Sequence, residues 1–141
     1  MDVFSAAQRS EIMRRVRSED TKPEMVVRKL VHNMGFRYRL HRADLPGRPD
    51  IVLAMHKKVI FVHGCFWHQH SCKSAKLPKS NRRYWLAKQA GNATRDRRNL
   101  QTLRRSGWKV MVIWECQTKY LERLRRRLTC FLRNRRCGRE N

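Results

Sequence analysis

The sequence predicts a single α/β domain in which a mixed β-sheet is flanked by helices. Hydrophobic spacing switches between helical and strand periods in the order helix, strand, strand, strand, helix, strand, helix. No internal repeat or low-complexity linker interrupts that order. The 141 residues also suffice to bury one core without disulfide staples. The expected organisation is a basic N-terminal arm at 1–20, a folded domain at 21–133 and a basic tail at 134–141.

Residues 5–17 read as a short basic helix that Ser5 can cap, with Ile12, Met13 and Val16 along one side. It serves either as an arm against a phosphate backbone or as a solvated surface helix. A second helix is predicted from about 22 to 34. Thr21 is its N-cap, Pro23 lies in the first turn where its missing N–H costs nothing, and Glu24 stands at the capping-box position. Val27, Leu30, Val31 and Met34 share a face and Gly35 closes the helix. Phe36 to Leu40 alternates as a strand, and the turn Asp44-Leu45-Pro46-Gly47-Arg48-Pro49 feeds a second strand beginning at Asp50. Pro49 stiffens the backbone that presents the Asp50 carboxylate. A turn near His56-Lys57 leads to the strand Val59 to Val62, so a hairpin brings Asp50 toward His63. Asn81 to Ser106 is rich in helix formers; Gly91 is a point at which it divides and Gly107 is its stop. Trp108 to Trp114 is an apolar strand, and Tyr120 to Arg133 a closing basic helix.

Lys and Arg number 34 against 11 Asp and Glu, a formal charge of +23 spread along the whole chain with aromatic residues interleaved. Solubility needs only a modest net charge, so this excess points to a polyanion, and the aromatic pattern favours nucleic acid over a membrane or an acidic protein. Neither a long apolar segment nor a signal-peptide core is present, and a cytoplasmic location is expected. In that reducing setting the five cysteines read as metal ligands or buried residues, not as a disulfide framework.

Residues 59–72 hold the densest chemistry, with His63, His68 and His70, Cys65 and Cys72, and Phe66-Trp67 on one strand and the loop after it. Cys65, His70 and Cys72 suit tetrahedral zinc, and Cys116, Cys130 or Cys137 can complete a closed structural site. Asp50, with His63 and His68 and with Glu24 and Asp96 in support, suits phosphodiester hydrolysis. A carboxylate holds a hard cation such as magnesium, and histidine moves protons near neutral pH. By itself Asp50 is equally an ion-pair partner for Arg48, and Glu24 a simple helix cap. Phe66, Trp67, Tyr84 and Trp85 are either wedges between base pairs or core aromatics.

Taken together, five motifs resemble the very short patch repair (Vsr) endonucleases over about residues 6–120. They are Thr21-x-x-Glu24, Leu45-Pro46-Gly47-Arg48-Pro49-Asp50, Phe61-Val62-His63-Gly64-Cys65-Phe66-Trp67-His68-x-His70-x-Cys72, Asn92-x-x-Arg95-Asp96-Arg97-Arg98 and Gly107-Trp108-x-Val110-x-x-x-Trp114-Glu115-Cys116. The resemblance implies a fold similar to type II restriction endonucleases with a structural zinc site. It also implies a monomer that nicks double-stranded DNA 5′ to the thymine of a T:G mismatch left by deamination of 5-methylcytosine, alongside other mismatch-repair proteins. Asp50 then corresponds to the magnesium-binding aspartate, with the Val62 backbone carbonyl as another ligand. His68 corresponds to the general base oriented by Asp96, and His63 and Glu24 to further active-site positions. Cys65, His70, Cys72 and Cys116 correspond to the zinc ligands, Phe66, Trp67 and Trp85 to intercalating aromatics, Met13 to a minor-groove partner, and Lys88 and Asn92 to mismatch contacts. Gln69 and Ser71 stand where relatives often carry histidine, but neither belongs to the ligand set. The competing readings are a non-catalytic zinc-containing DNA-binding protein and a related nuclease with restriction-type or less selective cutting.

Overall fold

The structure is a computed structural model that describes residues 21–65 and 80–135. The predicted helix at 5–17, the loop residues Phe66, Trp67, His68, His70 and Cys72, and the end of the basic tail lie outside the described residues.

Helix α1 (Lys22–Asn33) starts as its capping residues dictate: the Thr21 hydroxyl accepts the Glu24 N–H at 3.4 Å, with proline in the first turn. Val27, Leu30 and Val31 are buried along its inner face. Gly35, at φ 86°, turns the chain out of the helix, and the Phe36 N–H bonds back to the Val31 carbonyl. The strand expected at Phe36 to Leu40 is shorter than its alternation suggests. Only Arg39 and Leu40 pair (β1, Arg39–Leu40), while Phe36 and Tyr38 pack against the core ahead of the sheet edge.

Strand β2 (Ile51–Leu53) follows the Leu45-to-Pro49 turn and pairs antiparallel with both β1 and β3 (Lys58–His63). The expected β2–β3 hairpin is present, its turn a short 3₁₀ segment (Ala54–His56) closed by Lys57 in the left-handed region. Helix α2 (Arg82–Arg105) then carries the chain across, so that β4 (Lys109–Trp114) pairs parallel to β3. Gly91 does not divide α2: the helix runs through it unbroken, because a lone exposed glycine costs only about 1 kcal/mol against the bonds it would interrupt. Gly107, at φ 92°, ends the segment as expected. A 3₁₀ turn (Glu115–Lys119) leads into helix α3 (Leu121–Leu132), which buries Leu124, Leu128 and Leu132 at one-turn spacing.

The four strands run in the order β1-β2-β3-β4 as one mixed sheet. Strand alternation divides the core in two. Ile51, Leu53, Ile60, Met111 and Ile113 face α1 and α3, whereas Val52, Val59 and Phe61 face Leu103 of α2. Buried Lys58 ties the layers together, with its ammonium donating to the Phe131 and Leu132 carbonyls at 2.6 and 2.9 Å. A cation placed there meets the negative end of α3. Among the described residues no helix is long and apolar enough to cross a membrane.

Candidate active site

The turn that presents Asp50 is built by sequence. Gly47 has φ 77°, and a Cβ on it would stand 3.0 Å from Asn99 Nδ2 of α2, so only glycine lets the turn lie this close to the helix. Pro49 then leads into β2, and the Asp50 Oδ2 accepts the Val62 N–H of β3 at 2.7 Å. The carboxylate is thereby pinned across the hairpin, with its side chain 23% exposed.

Glu24 reaches the same place from the first turn of α1, buried to 3% exposure. Its N–H serves the helix cap, but its carboxylate points inward and not along a capping box. Arg28, one helical turn on, donates to Oε2, and His41 Nε2 lies 2.7 Å from Oε1. His41 Nε2 is also 3.9 Å from Asp50 Oδ1. Glu24, His41 and Asp50 each offer a ligand atom within 4.8 Å of the others. The two carboxylates at that spacing suit a divalent cation, with the His41 Nε2 beside them engaged by Glu24.

The electrostatics separate the two acids. Burial, aided by the neighbouring Glu24, pushes the Asp50 carboxyl up to about 8 against the opposing pull of the Val62 N–H and Arg28. Burial acts on Glu24 in the same sense. There, however, the hydrogen bond with Asp50 and the contacts of His41 and Arg28 outweigh it and hold the carboxyl below its ordinary range. The pair is thus split, with Asp50 pushed toward its protonated form and Glu24 toward its ionised one.

His63 ends β3, buried, with its ring 5.3 Å from that of Trp114 and 5.5 Å from that of Phe61. Val62, whose carbonyl is the expected ligand, also donates its N–H to Asp50, which sets the residue beside that carboxylate. Cys65 and Cys116 each fall two residues beyond the last β3–β4 pair, His63↔Trp114, which puts both thiols at the same end of adjacent strands. Cys65 is buried and Cys116 half-buried. The other expected zinc ligands, His70 and Cys72, lie outside the described residues.

On α2, Lys88 and Asn92 line a groove of about 360 Å³ together with Tyr84, Ala87, Gly91 and Arg95. The rings of Tyr84 and Trp85 meet edge-on at 4.9 Å, and Asp96 lies one helical turn beyond Asn92. His41 and Arg28 are the site residues that sequence reading missed. The signal for His41 was the β1–β2 register: Leu40↔Ile51 extended by one residue sets His41 opposite Asp50.

This fold is that of an endonuclease catalytic domain. The chain matches the catalytic domain of homing endonuclease I-Bth0305I with a TM-score of 0.59 at 20% identity, over 82% of this chain and 97% of that one. A family profile described as DNA mismatch endonuclease Vsr matches residues 1–74. The chain is 48% identical to the type II nicking enzyme V.XorIIP of Xanthomonas oryzae, over 90% of its own length and 93% of the relative's. It is 42% identical to the DNA mismatch endonuclease Vsr of Escherichia coli K12, over 87% and 79% of the two lengths. It belongs to the Vsr endonuclease family and is a DNA endonuclease.

Proposed function

We propose that this endonuclease recognises T:G mismatches in double-stranded DNA and makes one magnesium-dependent nick 5′ to the mismatched thymine. The observation that carries the chemistry is Asp50 pinned by the Val62 N–H with Glu24 beside it, a carboxylate pair in a chain with few acids. Single-strand cutting is supported by relatives named as type II nicking enzymes, at 48% and 45% identity, and mismatch selectivity by the E. coli Vsr relative.

In this reading Asp50 and the Val62 carbonyl hold the magnesium ion, with Glu24 in support. When bound, such an ion would neutralise charge on the scissile phosphate and polarise the attacking water. His68 takes the proton from that water, Asp96 orients His68, and His63 completes the polar wall beside the phosphate. The products carry 5′-phosphate and 3′-hydroxyl ends. Cys65, His70, Cys72 and Cys116 hold a structural zinc ion that fastens the loop bearing Phe66 and Trp67. Those two aromatics and Trp85 enter the base stack beside the mismatch, with Met13 in the minor groove, at a duplex step already weakened by mispairing. Lys88 and Asn92 contact the mismatched bases from the α2 groove. Other mismatch-repair proteins complete the repair.

A nicking assay on T:G and matched duplexes, with Asp50→Ala as control, tests the reading. The expected result is a single magnesium-dependent nick in the T:G duplex only, abolished in the variant. Equal cutting of both duplexes, or an active variant, would overturn it.

A further inference from the structure

His41, a side chain outside all five sequence motifs, enters the carboxylate pair. The backbone N–H of His41 donates to the Asp50 carbonyl at 3.2 Å, and its own carbonyl accepts from Arg48 Nε at 3.4 Å. Those ties hold His41 at φ 48°, a left-handed conformation that a non-glycine residue keeps only where its surroundings impose it. The imidazole is 10% exposed and packed against the acids, with Nε2 2.7 Å from Glu24 Oε1. Arg28 donates to the other oxygen, Oε2. A glutamate's terminal torsion is broad and roughly two-fold, so partners on opposite oxygens narrow the orientation of the carboxylate plane, and the His41 contact does so from the Oε1 side. One of those partners rides on α1 with Glu24; the other is anchored to the backbone of Asp50 itself.

We propose that His41 is a positioning residue of the nuclease centre. Through Nε2 it locks the Glu24 carboxylate against Asp50 and so sets the spacing at which the pair receives its divalent cation. This rests on the reading of Asp50 as a metal-binding acid. Supporting groups of this kind typically change metal affinity or activity by about 10–100-fold when removed.

The test compares His41→Ala, His41→Asn and His41→Gln in the full-length, zinc-containing protein. The Gln side-chain amide reaches the place of Nε2, whereas that of Asn falls short at the place of Nδ1. Mn²⁺ binding is measured calorimetrically without DNA, and nicking is measured as kcat and KM against metal concentration. The alanine and asparagine variants are expected to bind Mn²⁺ about 10–100-fold more weakly, with KM for DNA little changed, and the glutamine variant to recover most of the loss. Identical behaviour of the Asn and Gln variants, or wild-type Mn²⁺ affinity in His41→Ala, overturns the proposal. If the alanine variant does not fold, the Asn and Gln pair still decides. Failure of the underlying reading registers separately, as Mn²⁺ binding that Asp50→Ala leaves unchanged.

Discussion

Metal binding at the carboxylate pair should release a proton and weaken about tenfold for each pH unit below about 8. The Asp50 carboxyl is pushed up to about 8, by burial first and then by the adjacent Glu24, so at neutral pH it is mostly protonated. Glu24 is held below its ordinary range and is already ionised, so it supplies no second proton. A cation binds the ionised carboxylate and must displace that proton, at about 1.4 kcal/mol for each pH unit below the pKa. Between pH 8 and pH 6 the apparent affinity should therefore fall roughly fiftyfold, where an ordinary carboxyl near 3.9 gives no slope. Titration calorimetry with Mn²⁺ in buffers of different ionisation enthalpy counts the protons directly. About one per ion is expected at pH 6 to 7, falling to about half at pH 8 and to about a tenth by pH 9. Affinity independent of pH, with no proton released, would refute the assignment of the stored proton to Asp50. The same shift governs the metal-free protein. Because the folded pKa of Asp50 lies above its ordinary 3.8, its stabilising contribution is complete below about pH 4 and is lost as pH rises through about 8. Asp50→Asn, neutral and of the same shape, should flatten that part of the unfolding curve.

Gly47→Ala combines a left-handed backbone with a Cβ 3.0 Å from Asn99 Nδ2, and should lower stability by at least about 1–2 kcal/mol in urea unfolding. Unchanged stability would mean that the turn does not need glycine. Lys58→Met keeps the apolar stem but deprives the Phe131 and Leu132 carbonyls of a donor, for an expected loss of about 1–3 kcal/mol in the same experiment. Cys116→Ser should lose bound zinc and destabilise the fold, and full zinc stoichiometry by elemental analysis would remove Cys116 from the ligand set. His68→Ala should abolish nicking with zinc retained, whereas His70→Ala should release zinc. Metal content and activity measured on both variants separate the two roles.

The fold was legible wherever side-chain periodicity decides it. Apolar residues in β3 alternate between the α1–α3 face and the α2 face, α1 begins at its capping residue, and α1 and α2 end close to the glycines that predict their stops. What failed was local alternation without a partner. Phe36 to Tyr38 has the pattern of a strand, but β1 is only an edge pair, and the apolar residues before it serve packing and not pairing. The Gly91 break failed for the opposite reason, because continuous helix on both sides outweighs one weak former.

The acids were legible for a related reason, and their partner was not. Asp50 and Glu24 stand out because acids are scarce and each sits at an element's start, where a local rule draws attention. His41 obeys no local rule: it lies past the end of a two-residue strand, in a backbone conformation that histidine seldom adopts. It becomes visible only through hairpin register. Arg39↔Val52 and Leu40↔Ile51 fix a pairing whose next rung is His41 against Asp50, and that rung is marked by the N–H to carbonyl bond between them. Across the other edge of β2, Ile51↔Ile60 brings Val62 to the Asp50 carboxylate. The site is thus a product of strand pairing on both sides of β2, with α1 delivering Glu24 onto it. A one-residue slip in either pairing would move His41 or the Val62 N–H away from Asp50 while leaving every motif in the sequence intact.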